Sequence, residues 1–389
     1  MDEIVIGTYE GFLLGYSLWP DTEVMKLKQT FATQSHTASV RCVSIAGKYL
    51  ASGGTDDKVV VIDLKTRKEH TVLMNHDGTI NAVAFTHGGT HLLTGSDDGS
   101  IIVTRTGNWQ IEKIWKKAHG GQPVTAITIH PSDKLALSIG SDKTLRTWNL
   151  VKGRPAFTIN LASKGVIMPT EIKFSPGGER FSLISQQTVD VWTLSKAGLE
   201  KRITCNSKPT TVMWYNDEQL FVGLESGKII TVTVSDTQAL TYKAHSDRVK
   251  CLHFENDALY SASSSGQIKV WSFNNNELKE ICSNNASCRV TCITLNRQNH
   301  LVKKEEQVDK LDTLNNNNDS KNSNSEDSED DNIEEVSPPK KKKSSAFVVV
   351  SYDEDENDNL SKDKSVSSQS KRSKKRKRNK NSKNKANQK

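Results

Sequence analysis

His119, Ser138 and Asp142 fall within one short stretch of the chain, and an imidazole, a hydroxyl and a carboxylate are the groups that together activate a nucleophile for acyl transfer. Such a catalyst needs an exposed oxygen, a base in reach of it and an oxyanion hole beside open space. The rest of the sequence argues against that use. The same residue types recur as His36, Ser52 and Asp56, and again as His76, Thr94 and Asp98, whereas a catalyst needs one copy. Ser138 sits in Leu137-Ser138-Ile139-Gly140, without the Gly-x-Ser-x-Gly turn that lifts a nucleophile out of a sheet. With the indole N–H of Trp148 as a further donor, the set reads as a buried hydrogen-bond chain that pins a turn. No catalytic residue and no cofactor is expected.

Other candidate chemistry is equally thin. The pairs Gly53-Gly54, Gly88-Gly89, Gly120-Gly121 and Gly177-Gly178 lack the Lys-Ser/Thr ending of a phosphate loop and read as turns. Cys288 and Cys292 are close enough to begin a metal site, but there is no second close pair. Cys42, Cys251 and Cys292 also occupy one place in repeated segments, Val-Arg-Cys-Val, Val-Lys-Cys-Leu and Val-Thr-Cys-Ile. They read as small buried hydrophobes, and no metal site is expected. Met1-Asp2-Glu3-Ile4 carries no basic leader and no apolar run reaches about 18 residues, which points away from secretion and from a membrane. Asn285-Ala286-Ser287 is accordingly a chance match to a glycosylation site.

The elements that must position the recurring His come from a repeat. The intervals His36 to His76 and His76 to His119 are 40 and 43 residues, and His119 to His245 is 126, a multiple of about 42. Each His follows a small residue or Asn75. Some 20 residues on comes a Ser/Thr-rich strand and an Asp turn, and then a β-branched run ending in Trp or its substitute. This is the grammar of WD40 repeats, complete only in the third repeat (His119, Ser138, Asp142, Trp148). It is partial in the first, with Ile62 for Trp, in the second, with Thr104 for Trp, and in the sixth (His245, Ser261, Trp271), with Ser265 where Asp is expected.

Repeats four and five lack the His but keep strand grammar around Glu171-Ile172-Lys173-Phe174 and Thr211-Val212-Met213-Trp214. First strands fall near residues 40, 80, 124, 171, 211, 249 and 290. The seventh has only its first strand at the C-terminal end, and Ile4 to Tyr16 supplies the strands it lacks. The sequence thus predicts an all-β, seven-bladed WD40 β-propeller over residues 1–297, its last blade closed by both ends of the domain so that no sheet edge is left open at the seam. Arg41, Arg248 and Arg289 enter or precede first strands, near the narrow end where partners commonly dock on propellers of this repeat type, and read either as docking contacts or as solvated charges.

Composition separates this body from residues 298–389. Residues 1–297 hold 32 Lys+Arg against 28 Asp+Glu, whereas residues 362–389 hold 13 against one. Hydrophobic periodicity stops after residue 297. An acidic stretch precedes Lys340, Lys341, Lys342 and Lys343. A second basic cluster is Lys371, Arg372, Lys374, Lys375, Arg376, Lys377 and Arg378. Such a tail is expected to be disordered when alone. Its clusters suit a nuclear import receptor and salt-sensitive attachment to a phosphate backbone, and they lack the aromatic residues that base stacking needs. Ala346 to Tyr352 is an apolar island that could add a strand to a partner's sheet.

Three segments narrow the family: Gly7-Thr8-Tyr9-Glu10 with Leu14-Gly15-Tyr16, the entry His36-Thr37-Ala38-Ser39, and the long run from Lys134 to Arg154. Over residues 3–297 the chain resembles the p21-activated-kinase-interacting protein family. The resemblance implies a nuclear and nucleolar scaffold for assembly of the large ribosomal subunit. Its partners would be pre-ribosomal assembly factors and, through the basic tail, pre-ribosomal RNA. The alternative that it implies is a negative regulator that binds a p21-activated kinase directly. A substrate receptor for a ubiquitin ligase would show Arg two residues after a Trp-Asp pair, and Trp148-Asn149-Leu150-Val151 does not.

Overall fold

The computed structural model describes residues 2–21, 24–236, 239–274 and 276–297. The tail clusters Lys340 to Lys343 and Lys371 to Arg378, and the island at 346–352, lie outside the described residues. Strands β1 (Glu3–Thr8), β2 (Phe12–Asp21) and β3 (Val24–Gln34) come first. Blade one is β4 (Val40–Ala46), β5 (Tyr49–Gly54), β6 (Val59–Asp63) and β7 (Lys68–Leu73). Blade two is β8 (Ile80–Phe85), β9 (His91–Ser96), β10 (Ile101–Arg105) and β11 (Ile111–Trp115). Blade three is β12 (Val124–Ile129), β13 (Leu135–Gly140), β14 (Thr144–Asn149) and β15 (Arg154–Asn160). After a single 3-10 turn, Ala162–Lys164, blade four is β16 (Pro169–Phe174), β17 (Arg180–Ser185), β18 (Thr188–Thr193) and β19 (Gly198–Thr204). Blade five is β20 (Pro209–Trp214), β21 (Gln219–Leu224), β22 (Lys228–Thr233) and β23 (Ala239–Lys243). Blade six is β24 (Val249–Glu255), β25 (Ala258–Ser263), β26 (Gln267–Asn274) and β27 (Glu277–Asn285).

The last strand, β28 (Val290–Asn296), pairs antiparallel with β1, aligning Ile4 with Leu295 and Ile6 with Ile293, so blade seven runs β28-β1-β2-β3. The seam of the ring is therefore a ladder of hydrogen bonds between the two ends of the domain. Apolar clusters fill the junctions between neighbouring blades. Val5 and Leu13 of blade seven pack with Val40 and Leu50 of blade one, and Phe221 and Ile229 of blade five pack with Leu252 and Trp271 of blade six. Such sheet-on-sheet contact buries the second and third strands of the blades most fully, while outer strands such as β7, β15, β19 and β23 stay largely exposed.

Each innermost strand bulges after its first residue, which skips one position in the pairing: Arg41, Asn81, Thr125, Thr170, Thr210, Lys250 and Thr291. A bulge re-aims a side chain out of the ladder, and here all seven line the axial cavity. Junction volumes are matched as well. A Cβ on Gly7, Gly53, Gly95 or Gly223 would stand 2.5–2.8 Å from Val40, Ile80, Val124 or Val249 at the start of the next blade's inner strand. Blades three and four carry Ile139 and Ile184 at that place, and the strands that follow start with Pro169 and Pro209.

Candidate functional site

Antiparallel pairing of β13 with β14 sets Ser138 beside the tryptophan strand, and the turn between them returns Asp142 towards the His that precedes β12. In blade three His119 Nε2 lies 2.7 Å from Ser138 Oγ and His119 Nδ1 lies 3.0 Å from Asp142 Oδ1. Trp148 Nε1 donates to Ser138 Oγ at 2.8 Å. Thr144 adds a hydroxyl 3.1 Å from His119 Nδ1. Blade one has His36 at 2.8 Å from both Ser52 Oγ and Asp56 Oδ1, and Asp56 also accepts the N–H of Thr37. In blade two His76 lies 2.8 Å from both Thr94 Oγ1 and Asp98 Oδ2. Here Thr104 holds the tryptophan's place, and Trp115 of the outer strand stacks on Trp148 of the next blade at 4.3 Å.

Blade six departs from the sequence reading. Ser265 does not take the place of the missing Asp: its hydroxyl lies 2.9 Å from that of Ser263, and the acceptor for His245 Nδ1 is Gln267 Oε1 at 2.8 Å. A serine side chain is too short to span from the turn to the ring, whereas Gln267, two residues on, has the reach. His245 Nε2 lies 2.8 Å from Ser261 Oγ, which also accepts from Trp271 Nε1.

Ser138 and His119 are completely buried. Burial holds the imidazoles of His119 and His245 below their ordinary range, against the pull of Asp142 on the first and of the Gln267 hydrogen bond on the second. Burial pushes the carboxyls of Asp56 and Asp98 up, but the hydrogen bonds they accept, from His36 and Thr37 and from Ser100 and His76, outweigh it and leave both below the usual carboxylate range. Ser138 Oγ, already committed to His119 and Trp148, borders no open space in which a substrate carbonyl could sit.

Blades without the His are held by groups that the sequence reading did not single out. In blade four Asp190 is buried on β18 and receives Arg202 of β19 at 2.8 and 2.7 Å, while Arg202 also donates to the carbonyl of Lys164 in the loop that enters the blade. Lys201 Nζ donates to the carbonyls of Thr233, Val234 and Asp236 in blade five. Leu183 takes the place of Ser138, and Trp192 Nε1 has no partner among the described residues, while Ser182, one position earlier and on the other face of the strand, accepts Trp214 Nε1 from blade five at 3.0 Å. In blade seven the buried Glu3 receives Arg67 of blade one at 2.8 and 2.9 Å, Thr30 of β3 and Asn296 of β28 at 3.1 Å. A carboxylate inside a β-branched run, as in Glu3-Ile4-Val5-Ile6 or Val189-Asp190-Val191, was the available signal.

Of the arginines marked at strand entries, Arg289 lies over the exposed ring of Tyr9 at 5.0 Å, and Arg41 points into the axial cavity. Cys42, Cys251 and Cys292 line the same cavity, and burial pushes all three thiols up, Cys292 to about 11. Among the described residues no group of three or more His, Cys, Asp or Glu is placed to hold a metal ion.

The family model "WD domain, G-beta repeat" matches residues 25–63, 67–104, 111–149 and 236–272. The chain is 37% identical over 300 residues to the p21-activated protein kinase-interacting protein 1-like protein of Danio rerio, covering 75% of this chain and 79% of that one. It is 31% identical over 308 residues to p21-activated protein kinase-interacting protein 1 of Homo sapiens, covering 75% and 76%. Among solved structures, that of U3-55K superposes with a TM-score of 0.57 at 14% identity, covering 66% of this chain and 85% of that one, a likeness of fold.

Proposed function

The chain belongs to the p21-activated protein kinase-interacting protein 1 family, and from that premise we propose that it is a non-catalytic interaction scaffold acting in nucleolar assembly of the large ribosomal subunit. The observation that carries the non-catalytic half is the burial of the residue sets with nucleophile chemistry, Ser138 and His119 behind Trp148 and likewise Ser52 with His36 and Thr94 with His76. The ring offers partners a fixed surface, since four blades have pinned turns and the others are tied to a neighbour or an entering loop, and rigid surfaces lose little entropy on docking. Pre-ribosomal assembly factors would bind the ring. The basic tail, Lys340 to Lys343 and Lys371 to Arg378, would hold pre-ribosomal RNA through phosphate contacts and would be read by a nuclear import receptor.

Gradient sedimentation of nuclear extract tests this, with tagged full-length chain and with residues 1–297. Full-length chain is expected to travel with large-subunit precursor RNA. Its attachment should weaken as salt rises, and the shorter form, without the tail's phosphate contacts, should bind less at low salt and lose less as salt rises. Chain confined to light fractions, free of precursor RNA, would remove the assembly role. The names of the relatives favour a second reading, direct binding and restraint of a p21-activated kinase. Under that reading the light-fraction chain co-purifies with the kinase and lowers its activity.

A further inference from the structure

The seven bulged residues form one ring around an axial cavity of about 610 Å³, within the range of about 300–1,000 Å³ in which proteins hold small ligands. Five of the seven are uncharged. The two cations, Arg41 of blade one and Lys250 of blade six, stand on either side of blade seven, where Thr291 occupies the bulge. Neither Arg41 nor Lys250 forms an ion pair or a hydrogen bond among the described residues, and both act electrostatically on the thiol of Cys292 between them.

The acids of the same cavity are already matched. Asp97 receives the amide of Asn81 at 2.6 Å. Glu171 receives the N–H of Val212 at 3.2 Å, with Thr211 and the ammonium of Lys173 at 3.5 and 3.8 Å. The carboxylates of Asp97 and Glu171 are thus held by hydrogen bonds and by Lys173, whereas blades six, seven and one carry two positive charges with no direct partner, Lys250 acting on Glu171 only through space. Confined between low-dielectric walls, such charges attract an anion more strongly than they would on an open surface.

We propose that the axial cavity binds a compact polyphosphate, held by Arg41 and Lys250 across Thr291. A ligand with several phosphates can offer a separate anionic group to each of two cations set on different blades. The guanidinium fork matches phosphate oxygens in pairs, and the ammonium adds a point charge. The inference stands on the ring alone and does not depend on the scaffold role.

The test uses the full chain and inositol hexakisphosphate as probe. The basic tail takes up the probe too, but a segment that binds it equally before and after unfolding does not move the melting midpoint of the ring. Thermal unfolding followed by tryptophan fluorescence is expected to shift upward with the probe, and less with orthophosphate at matched ionic strength. In the double variant Arg41→Gln, Lys250→Gln the concentration for half the shift should rise about tenfold or more, the equivalent of losing one charge-assisted hydrogen bond. The tail variant Lys374→Gln, Lys375→Gln should keep the whole shift. An equal shift in the double variant, or none in the unaltered chain, overturns the proposal. Should the double variant fold poorly, hydrogen exchange in the unaltered chain decides. The probe is expected to slow exchange over 40–46, 249–255 and 290–296, and unchanged exchange there overturns it as well.

Discussion

Blades one, two, three and six organise themselves from within, whereas blades four, five and seven are held from outside. In the first group a buried imidazole joins a hydroxyl on the second strand to an acceptor at the turn, as His119 joins Ser138 to Asp142. In the second group, apart from the Asp190–Arg202 pair inside blade four, the ties cross between blades or reach an entering loop: Arg67 to Glu3, Lys201 to three carbonyls, Trp214 to Ser182, Arg202 to Lys164. The inner junctions differ in the same direction. Gly53 admits Ile80 and Gly95 admits Val124, while Ile139 and Ile184 precede blades that begin with Pro169 and Pro209. A tetrad fixes a turn locally and so can repeat, but a cross-blade tie depends on which neighbour arrives. That dependence suits the seam, where the two ends of the domain must find each other.

The seam should therefore be the most fragile part of the comparison. Removing residues 1–14 takes β1 and the start of β2 from blade seven and uncovers Val40 and Leu50 of blade one, while removing everything from Val290 on takes β28 and uncovers Ile4 and Ile6. Loss of the cooperative melting transition and rapid digestion by protease are expected, and a soluble, protease-resistant ring would refute the role given to closure.

Next in size are the charged ties. Arg67→Met leaves Glu3 fully buried with only Thr30 and Asn296 as donors, and should cost about 3 kcal/mol in denaturant unfolding, the low end for an orphaned buried charge. Glu3→Gln should cost less, because Arg67 is one-third exposed and can turn to water. The reverse order would mean that stacking of the Arg67 guanidinium, which lies over the Phe31 ring at 4.8 Å, outweighs the ion pair.

Smaller again is the contrast between the serines. Ser138→Ala orphans both His119 Nε2 and Trp148 Nε1, for about 2–3 kcal/mol in chemical denaturation. Ser182→Ala should cost about 1 kcal/mol or less, since Trp214 Nε1 keeps the carbonyl of Lys173 at 3.2 Å. Equal losses at the two sites would erase the distinction between internally and externally tied blades.

These differences mark what can be read from the chain. Residue types recurring about every 42 positions, small-His, an Asp turn, a β-branched run, are visible because they serve local geometry at fixed spacing, and they suffice for seven first strands and the shared last blade. Glu3 and Arg67 are 64 positions apart and meet only when the ring closes, so no spacing rule reveals them. Asp190 and Arg202 lie in one hairpin, and a charge buried in an apolar strand could have exposed them. Gln267 escaped because motif logic looks for the acceptor at the turn itself, and the turn residue Ser265 is too short. Arg41 reads only as a strand-entry charge and Lys250 is not singled out at all until the bulges place both on one ring.

The finest probe of the comparison is the neutral acceptor in blade six. Burial lowers the His245 imidazole from its ordinary value of 6.5, with the Gln267 hydrogen bond opposing, Lys269 lowering it further, and Glu280 and Asp247 raising it. The unfolded chain then takes up the proton first as pH falls. The stability tied to this group is thus whole above pH 6.5 and is lost below it. Gln267→Glu supplies an anion at 2.8 Å, as Asp142 does for His119 at 3.0 Å, and should raise the His245 pKa and shrink that loss. Between pH 7 and pH 5 the variant's unfolding free energy should fall less than that of the unaltered chain, by about 1 kcal/mol or less. The contribution of His119, also lowered by burial, is common to both chains and cancels in the difference. Identical pH slopes would show that Gln267 and Asp142 are equivalent acceptors, and that the four internally tied blades do not differ in acid sensitivity through this group.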